Sequence, residues 1–157
     1  MTTQKAARQG KREANTVYIA SDHAGYDAKN ALRDALLKRG VAVTDLGPAA
    51  FNKNDDYPVF AKRVTQEVVK NSSHRGILLC GSGQGMCIAA NKVRGIRAAI
   101  AWNSKTAQSA RNDDDANILC LSARLISRPL ALRIALTWLN TPFSKLARHK
   151  RRIGQIE

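Results

Sequence analysis

The chain has 157 residues, 44% of them hydrophobic, the size and composition of one domain with an ordinary core. No apolar run approaches the ~20 residues of a membrane span, the basic N-terminus lacks the apolar segment of a signal peptide, and three cysteines form neither an even disulfide set nor a C-x-x-C zinc pattern, so a reducing, cytoplasmic setting is expected. The formal charge of +14 favours anionic partners, a phosphorylated small molecule or nucleic acid; aromatics at 5% and the lack of a recognition motif weigh against nucleic acid.

Residues 1–15 are polar and non-periodic, with Lys5, Arg8, Lys11 and Arg12 against Glu13. They read as a disordered basic tail ahead of a single domain over 16–157. Thr16 to Ser21 is a short apolar strand. Asp22-His23-Ala24-Gly25 follows, then a helix to about Arg39 whose Ala28, Ala31, Leu32, Ala35 and Leu36 make an amphipathic stripe. Gly40 is a plausible stop. Asp22 and His23 thus fall at the C-terminal end of a strand, the edge where open parallel sheets bind ligands. Asp22 is equally well read as a helix cap.

Val41 to Leu46 alternates and is β-branched, a second strand. A long polar loop runs from Gly47 to Tyr57, and Pro58 opens a helix to about Lys70. Tyr57 is either an aromatic lid near the ligand edge or a packing contact. Ile77 to Cys80 is a buried strand, followed by the turn Gly81-Ser82-Gly83-Gln84-Gly85 and a helix from Met86 to Lys92. Strand, glycine-rich turn and helix form an anion-binding device, because glycines admit close backbone approach and the first helical N–H groups favour negative charge. The run is neither the dinucleotide fingerprint nor a Walker A loop. Cys80 stands at the lip of this turn. Cysteine in a strand is usually packing; at this position it is also a candidate base or nucleophile facing an anion hole.

Ile96 to Ala101 is a fourth strand, and Asn103 caps a helix through roughly Arg111. Asn112 to Asp115 reads as an acidic turn, either a solvated loop or a polar wall of the same cleft. Ala116 to Leu121 is the fifth strand, with Arg124 just beyond it. Ser127 caps a helix through Leu139. Thr141 and Pro142 break the chain before a basic helix, Phe143 to about Ile156, in which Arg148 and Arg152 share one face. Such a pair is a phosphate clamp or a solvated basic face. The break leaves this helix poorly placed to fold back alone, so it is expected to pack across a dimer partner. Five strand–helix units with short connections predict an open, doubly wound parallel sheet of the α/β class. Its C-terminal edge is expected to gather Asp22, His23, Cys80, Gly81–Gly85, Asp113 and Arg124.

The segments Ala20–Tyr26, Asp56-Tyr57-Pro58, Cys80–Gly85 with Ile88–Lys92, Gly95–Ala98, and Arg148-His149 with Arg152 together resemble ribose-5-phosphate isomerase type B, a family that includes the galactose-6-phosphate isomerase subunits. The resemblance runs in order from Val17 to Ile153. It implies a Rossmann-like three-layer homodimer, or a tetramer, with active sites shared between subunits and no metal or other cofactor. The activity implied is aldose–ketose isomerisation of ribose 5-phosphate and ribulose 5-phosphate in the pentose phosphate pathway. By position, Cys80 matches the proton-shuttling cysteine; Met86 stands where other members carry a glutamate. Gly81, Gly83 and Gly85 match the hole for the enediolate, and Ser82 a hydroxyl in that loop. Asp22, His23, Tyr57 and Asp114 match substrate-contacting positions, and Arg124, Arg148 and Arg152 phosphate-binding arginines. Asp113 replaces a histidine assigned to opening the sugar ring. A carboxylate is the weaker base at neutral pH unless its pKa is raised, which leaves a tetrose or hexose phosphate as the alternative substrate.

Overall fold

The computed structural model describes residues 16–157; the expected basic tail, 1–15, lies outside the described residues. Five strands, β1 (Val17–Ser21), β2 (Val43–Asp45), β3 (Arg75–Cys80), β4 (Ala98–Ile100) and β5 (Ile118–Ser122), alternate with helices. The helices are α1 (Tyr26–Lys38), α2 (Tyr57–Val68), α3 (Gln84–Ala90), α4 (Ser104–Asp114), α5 (Arg128–Asn140) and α6 (Ala147–Gly154), with a 3-10 turn at His23–Gly25. The strands make one sheet in the order β2-β1-β3-β5-β4, and every pairing is parallel. The α/β doubly wound expectation is met. The edge strands β2 and β4 are shorter than their sequence runs, since each has a neighbour on one side only.

Alternation along the strands feeds two cores. Val17, Ile19, Ile77, Leu79, Leu119 and Leu121 face α1 and α5, where Leu36, Ile134 and Trp138 are fully buried. Ala20, Leu78, Cys80, Ile118 and Cys120 face α2 and α3, against Phe60, Val64 and Met86. Helix signals behave as read: Asn103 caps α4 in a box with Thr106, Ser127 caps α5, and Gly40 stops α1 with a positive φ of 79°.

Three local expectations are corrected. Asn112, Asp113 and Asp114 are the last turn of α4 rather than a loop; the helix continues because Asp115 closes it in a left-handed conformation, φ 46°, where its carboxylate meets Arg111. The terminal helix starts at Ala147, not Phe143. Ser144 is held by the Asn112 carbonyl, and Lys145 turns to φ 58°, so 142–146 cannot be helical. Finally, α3 starts at Gln84, which draws Gly85 into its first turn.

One stabilising contact was not visible in the periodicity. Lys29 lies on the apolar side of α1 and is fully buried. Its Nζ donates to both Asp45 oxygens, at 2.8 and 2.7 Å, and to the Pro48 carbonyl at 3.1 Å; Arg33 adds a second cation at 2.7 Å. Burial by itself would raise the Asp45 carboxyl. The bonds from Lys29, the Gly47 N–H and Arg33 outweigh it and hold the group below its ordinary value. Removing one partner of a buried pair strands the other charge, which costs about 3 kcal/mol. Asp45→Ala is therefore expected to lose that much stability at pH 7 in urea denaturation. Because the folded-state pKa is depressed, the contribution is present above the ordinary carboxylate range and disappears as pH falls through the lower folded value. Wild type and variant should converge in stability under acid, and a constant gap down to low pH would exclude the pair as the cause.

Candidate active site

The C-terminal edge of the sheet is built on β3. Beyond Cys80 the chain turns through Gly81 to Gly83. Gly83 has φ 81°, and a side chain there would meet the Leu121 carbonyl carbon at 3.0 Å, so only glycine lets the turn lie on β5. The turn is tied to β5 by the Ala123 and Arg124 N–H groups, which donate to the carbonyls of Cys80 and Gly81, and by the Ser122 hydroxyl, which donates to Gly81 at 2.7 Å. The Gly83 N–H donates to the Cys80 sulfur at 3.1 Å. The sulfur is thus oriented toward the turn. Cys80 itself is 5% exposed, closely covered in the single chain. The Arg124 guanidinium lies over Gly81, 2.9 Å from where a Cβ would stand, and the Tyr57 ring lies equally close on Gly85, at 2.8 Å. Ser82 is exposed and its hydroxyl accepts the Gln84 N–H.

The end of β1 supplies the second wall. The Asp22 N–H donates to the Leu79 carbonyl, and the Asp22 carboxylate caps the 3-10 turn through the Gly25 N–H at 3.1 Å. Asp22 therefore does serve as a cap, and it is 7% exposed at this edge. His23 is part-exposed and fixed twice by one carboxylate oxygen. Asp55 Oδ1 lies 2.8 Å from the His23 backbone N and 2.8 Å from its Nδ1. That hydrogen bond raises the imidazole pKa above its ordinary value; burial works against it, and the Asp22 charge adds to it. The sequence points to Tyr57 but not to Asp55, two residues before it. The signal for Asp55 is only an acidic pair ahead of a tyrosine, which says nothing of which strand end it will reach.

Asp22, His23, Tyr57, Cys80, Ser82, the three turn glycines and Arg124 come together at one edge. Asp113, Asp114, Arg148 and Arg152 do not join them, correcting the expectation for Asp113. In a right-handed parallel unit a helix runs back against its strands, so the end of α4 lies at the N-terminal edge. There Arg97, just ahead of β4, donates to the carbonyls of Asp114 and Asp115. Helix α6 packs on this end of α4, bringing buried His149 Nε2 to 3.8 Å from Asp113. The Asp113 carboxyl is held below its ordinary range, chiefly by the Asn112 amide with help from Ser109 and against a small burial effect. That is the reverse of what a ring-opening base needs. Among the described residues, no three His, Cys, Asp or Glu side chains gather as a metal site, and no helix is long and apolar enough to cross a membrane.

A parallel α/β sheet with a cysteine on a glycine turn, beside an arginine, is the arrangement of an α/β enzyme whose site suits an anion. A family model described as Ribose/Galactose Isomerase matches residues 17–156, and the chain belongs to that family. A Mycoplasma genitalium protein named "Probable ribose-5-phosphate isomerase B" is 45% identical over 141 residues, covering 89% of this chain and 92% of its own. A crystal structure of ribose-5-phosphate isomerase B from Mycoplasma genitalium, with ribulose 5-phosphate bound, matches with a TM-score of 0.86 at 45% identity over 90% of this chain and 93% of that one. A ribose 5-phosphate isomerase from Thermotoga maritima matches with a TM-score of 0.86 at 46% identity, covering 90% and 97%.

The pairing of His23 with Asp55 has a direct readout. Asp55→Asn removes the main cause of the raised pKa, so the His23 titration followed by NMR should move down toward about 6.5. An unmoved midpoint would show that the carboxylate does not control the ring.

Proposed function

We propose that this chain interconverts ribose 5-phosphate and ribulose 5-phosphate in the cytoplasm, with Cys80 carrying a proton between C1 and C2. The observation that carries the reading is the placement of Cys80, its sulfur bonded to the glycine turn and the Arg124 guanidinium over the next residue. Aldose–ketose exchange needs one base that lifts a carbon-bound proton and returns it to the neighbouring carbon. In this reading the Cys80 thiolate takes the C2 proton of the aldose and the carbonyl oxygen O1 gains the charge; the O2 hydroxyl then gives up its proton as O1 is protonated, and Cys80 returns the carbon-bound proton to C1. The first-turn N–H groups of α3 have no intrahelical acceptors and open on this edge, where they stabilise the enediolate oxygens. Ser82 donates its hydroxyl to the same oxygens. His23, raised toward its charged form by Asp55, and Asp22 grip substrate hydroxyls, and Tyr57 closes the mouth.

One chain supplies only part of the phosphate grip. Arg148, Arg152, Asp113 and Asp114 sit at the other edge, so in this reading a homodimer brings them to the partner's Cys80, as a two-fold assembly does reciprocally. Ring opening is not assigned to Asp113, whose lowered pKa disfavours proton uptake. That observation favours a second reading in which the preferred substrate is an open-chain phosphosugar such as a tetrose phosphate. Rates on ribose 5-phosphate and a tetrose phosphate, measured side by side, separate the two.

Cys80→Ala should lower kcat by orders of magnitude with the fold intact by circular dichroism; near-normal turnover would exclude Cys80 as the base. Subunit mixing tests the shared site. Cys80→Ala and Arg152→Ala homodimers should each be weak, yet unfolding and refolding them together in equal amounts should restore about a quarter of wild-type activity, since half of the dimers then carry one intact site. No recovery would place both residues in a site of one chain.

A further inference from the structure

The N-terminal edge of the sheet carries a polar pocket of about 320 Å³ that the proposed reaction does not use. Asn71, Ser72, Arg75, Arg94, Arg97 and Asp115 line it. Four guanidiniums crowd this region, because Arg111 stands behind Asp115. Two are neutralised: Asp115 pairs with Arg97 and with Arg111, and Glu157 also pairs with Arg97. Arg75 and Arg94 have no carboxylate within 4.0 Å among the described residues. Arg75 is half-buried. One of its nitrogens, Nη1, donates to the carbonyls of Ser72 and His74, both at 2.8 Å; Nε and Nη2 donate to nothing among the described residues. Burial first, then repulsion from Arg111 and Arg97, lowers the Arg75 pKa against the opposing pull of Asp115. The carbonyl end of α2 nearby offsets about half a charge. Two guanidiniums remain without a carboxylate partner among the described residues, and Arg75 still presents the Nε–Nη2 donor edge in fork geometry.

We propose that this pocket is a second anion site that binds a phosphate group, either free orthophosphate or the phosphate of a small metabolite, through Arg75 and Arg94 with Asn71 and Ser72 as neutral donors. Planar guanidinium edges match phosphate oxygens bidentately. None of its lining residues is among those assigned to the reaction in either subunit, so its occupancy is separable from turnover. It also gives part of the chain's excess positive charge a defined ligand.

The test is a titration of the full-length protein with orthophosphate, and in a second arm with glycerol 3-phosphate, followed by backbone amide NMR shifts. The Gly95 and Asn117 amides, which border the pocket, should saturate as a set distinct from Gly81–Gly85. In the double variant Arg75→Gln, Arg94→Gln the first set should weaken at least tenfold, while the glycine-turn set and the kcat and KM on ribose 5-phosphate stay unchanged. Exposed Arg94→Gln alone should give a smaller loss and covers the case in which the double variant does not fold. Tighter binding of the phosphomonoester would assign the site to a metabolite, and equal binding to the phosphate alone. Amides of the pocket that do not shift in wild type, or that shift equally in the variants, overturn the proposal.

Discussion

The common direction of the five strands constrains everything else. All strands end on one edge, so their loops share that edge, and every helix must run back to the other. β3 is six residues long, which separates the two edges by roughly 17 Å. No side chain spans that distance. A residue at the end of α4 cannot reach the thiol at the end of β3 of its own chain, whatever its chemistry. The polarity of the sheet therefore divides the residues expected at the site into two groups before any side chain is considered. The cysteine, the glycine turn, His23 and Arg124 form one group; Asp113, Asp114 and the α6 arginines form the other.

Much of this was readable from the residues. Strand type, helix caps and the strand-to-turn position of Cys80 all follow from local rules, namely apolar runs, Asn and Ser caps and glycine at positive φ. These rules act over a few residues and are insensitive to context. Reading failed where a neighbour distant in the chain decides the outcome. Asn112–Asp114 looks like a turn because acidic and amide residues favour loops, yet Arg111 and Asp115 pair across one helical turn and carry α4 through it. Lys29 breaks the apolar stripe of α1, and only Asp45, on a strand not yet folded beside it, explains why a lysine belongs there. The supposed gathering of Asp113 with Cys80 failed for a different reason. The order of segments fits the fold, but the end of a helix and the end of a strand lie at opposite edges of a parallel sheet.

The buried Lys29 also links the scaffold to the site. Its ammonium binds Asp45 at the end of β2 and the Pro48 carbonyl at the start of the long loop. The same loop continues to Asp55, which fixes His23, and to Tyr57, which covers Gly85. Phe51 packs edge-on to both His23 and Tyr26. An irregular stretch has no ladder of its own to hold it, so its position depends on such anchors at its ends. Here one anchor is ionic and buried and the other is a carboxylate on an imidazole.

Cys80 illustrates how a core position can reach the edge of the sheet without changing its packing. It alternates in register with Leu78 and shares a cluster with Met86 and Cys120, which is the environment of an inert thiol. What distinguishes it is being the last residue of its strand. One position earlier, in the place of Leu79, the sulfur would face the opposite core; two earlier, it would be enclosed by α2. At the end, the backbone turns away from the ladder and Gly83 can aim an N–H at the sulfur. The strand supplies rigidity, and its termination supplies access. Met86, fully buried in the same cluster, carries no ionisable group; the thiol shares the lip of the turn with the Arg124 guanidinium and the Tyr57 ring. In the proposed reaction the cysteine is the base at that point, and the close cover around it would keep water from competing for the proton it carries.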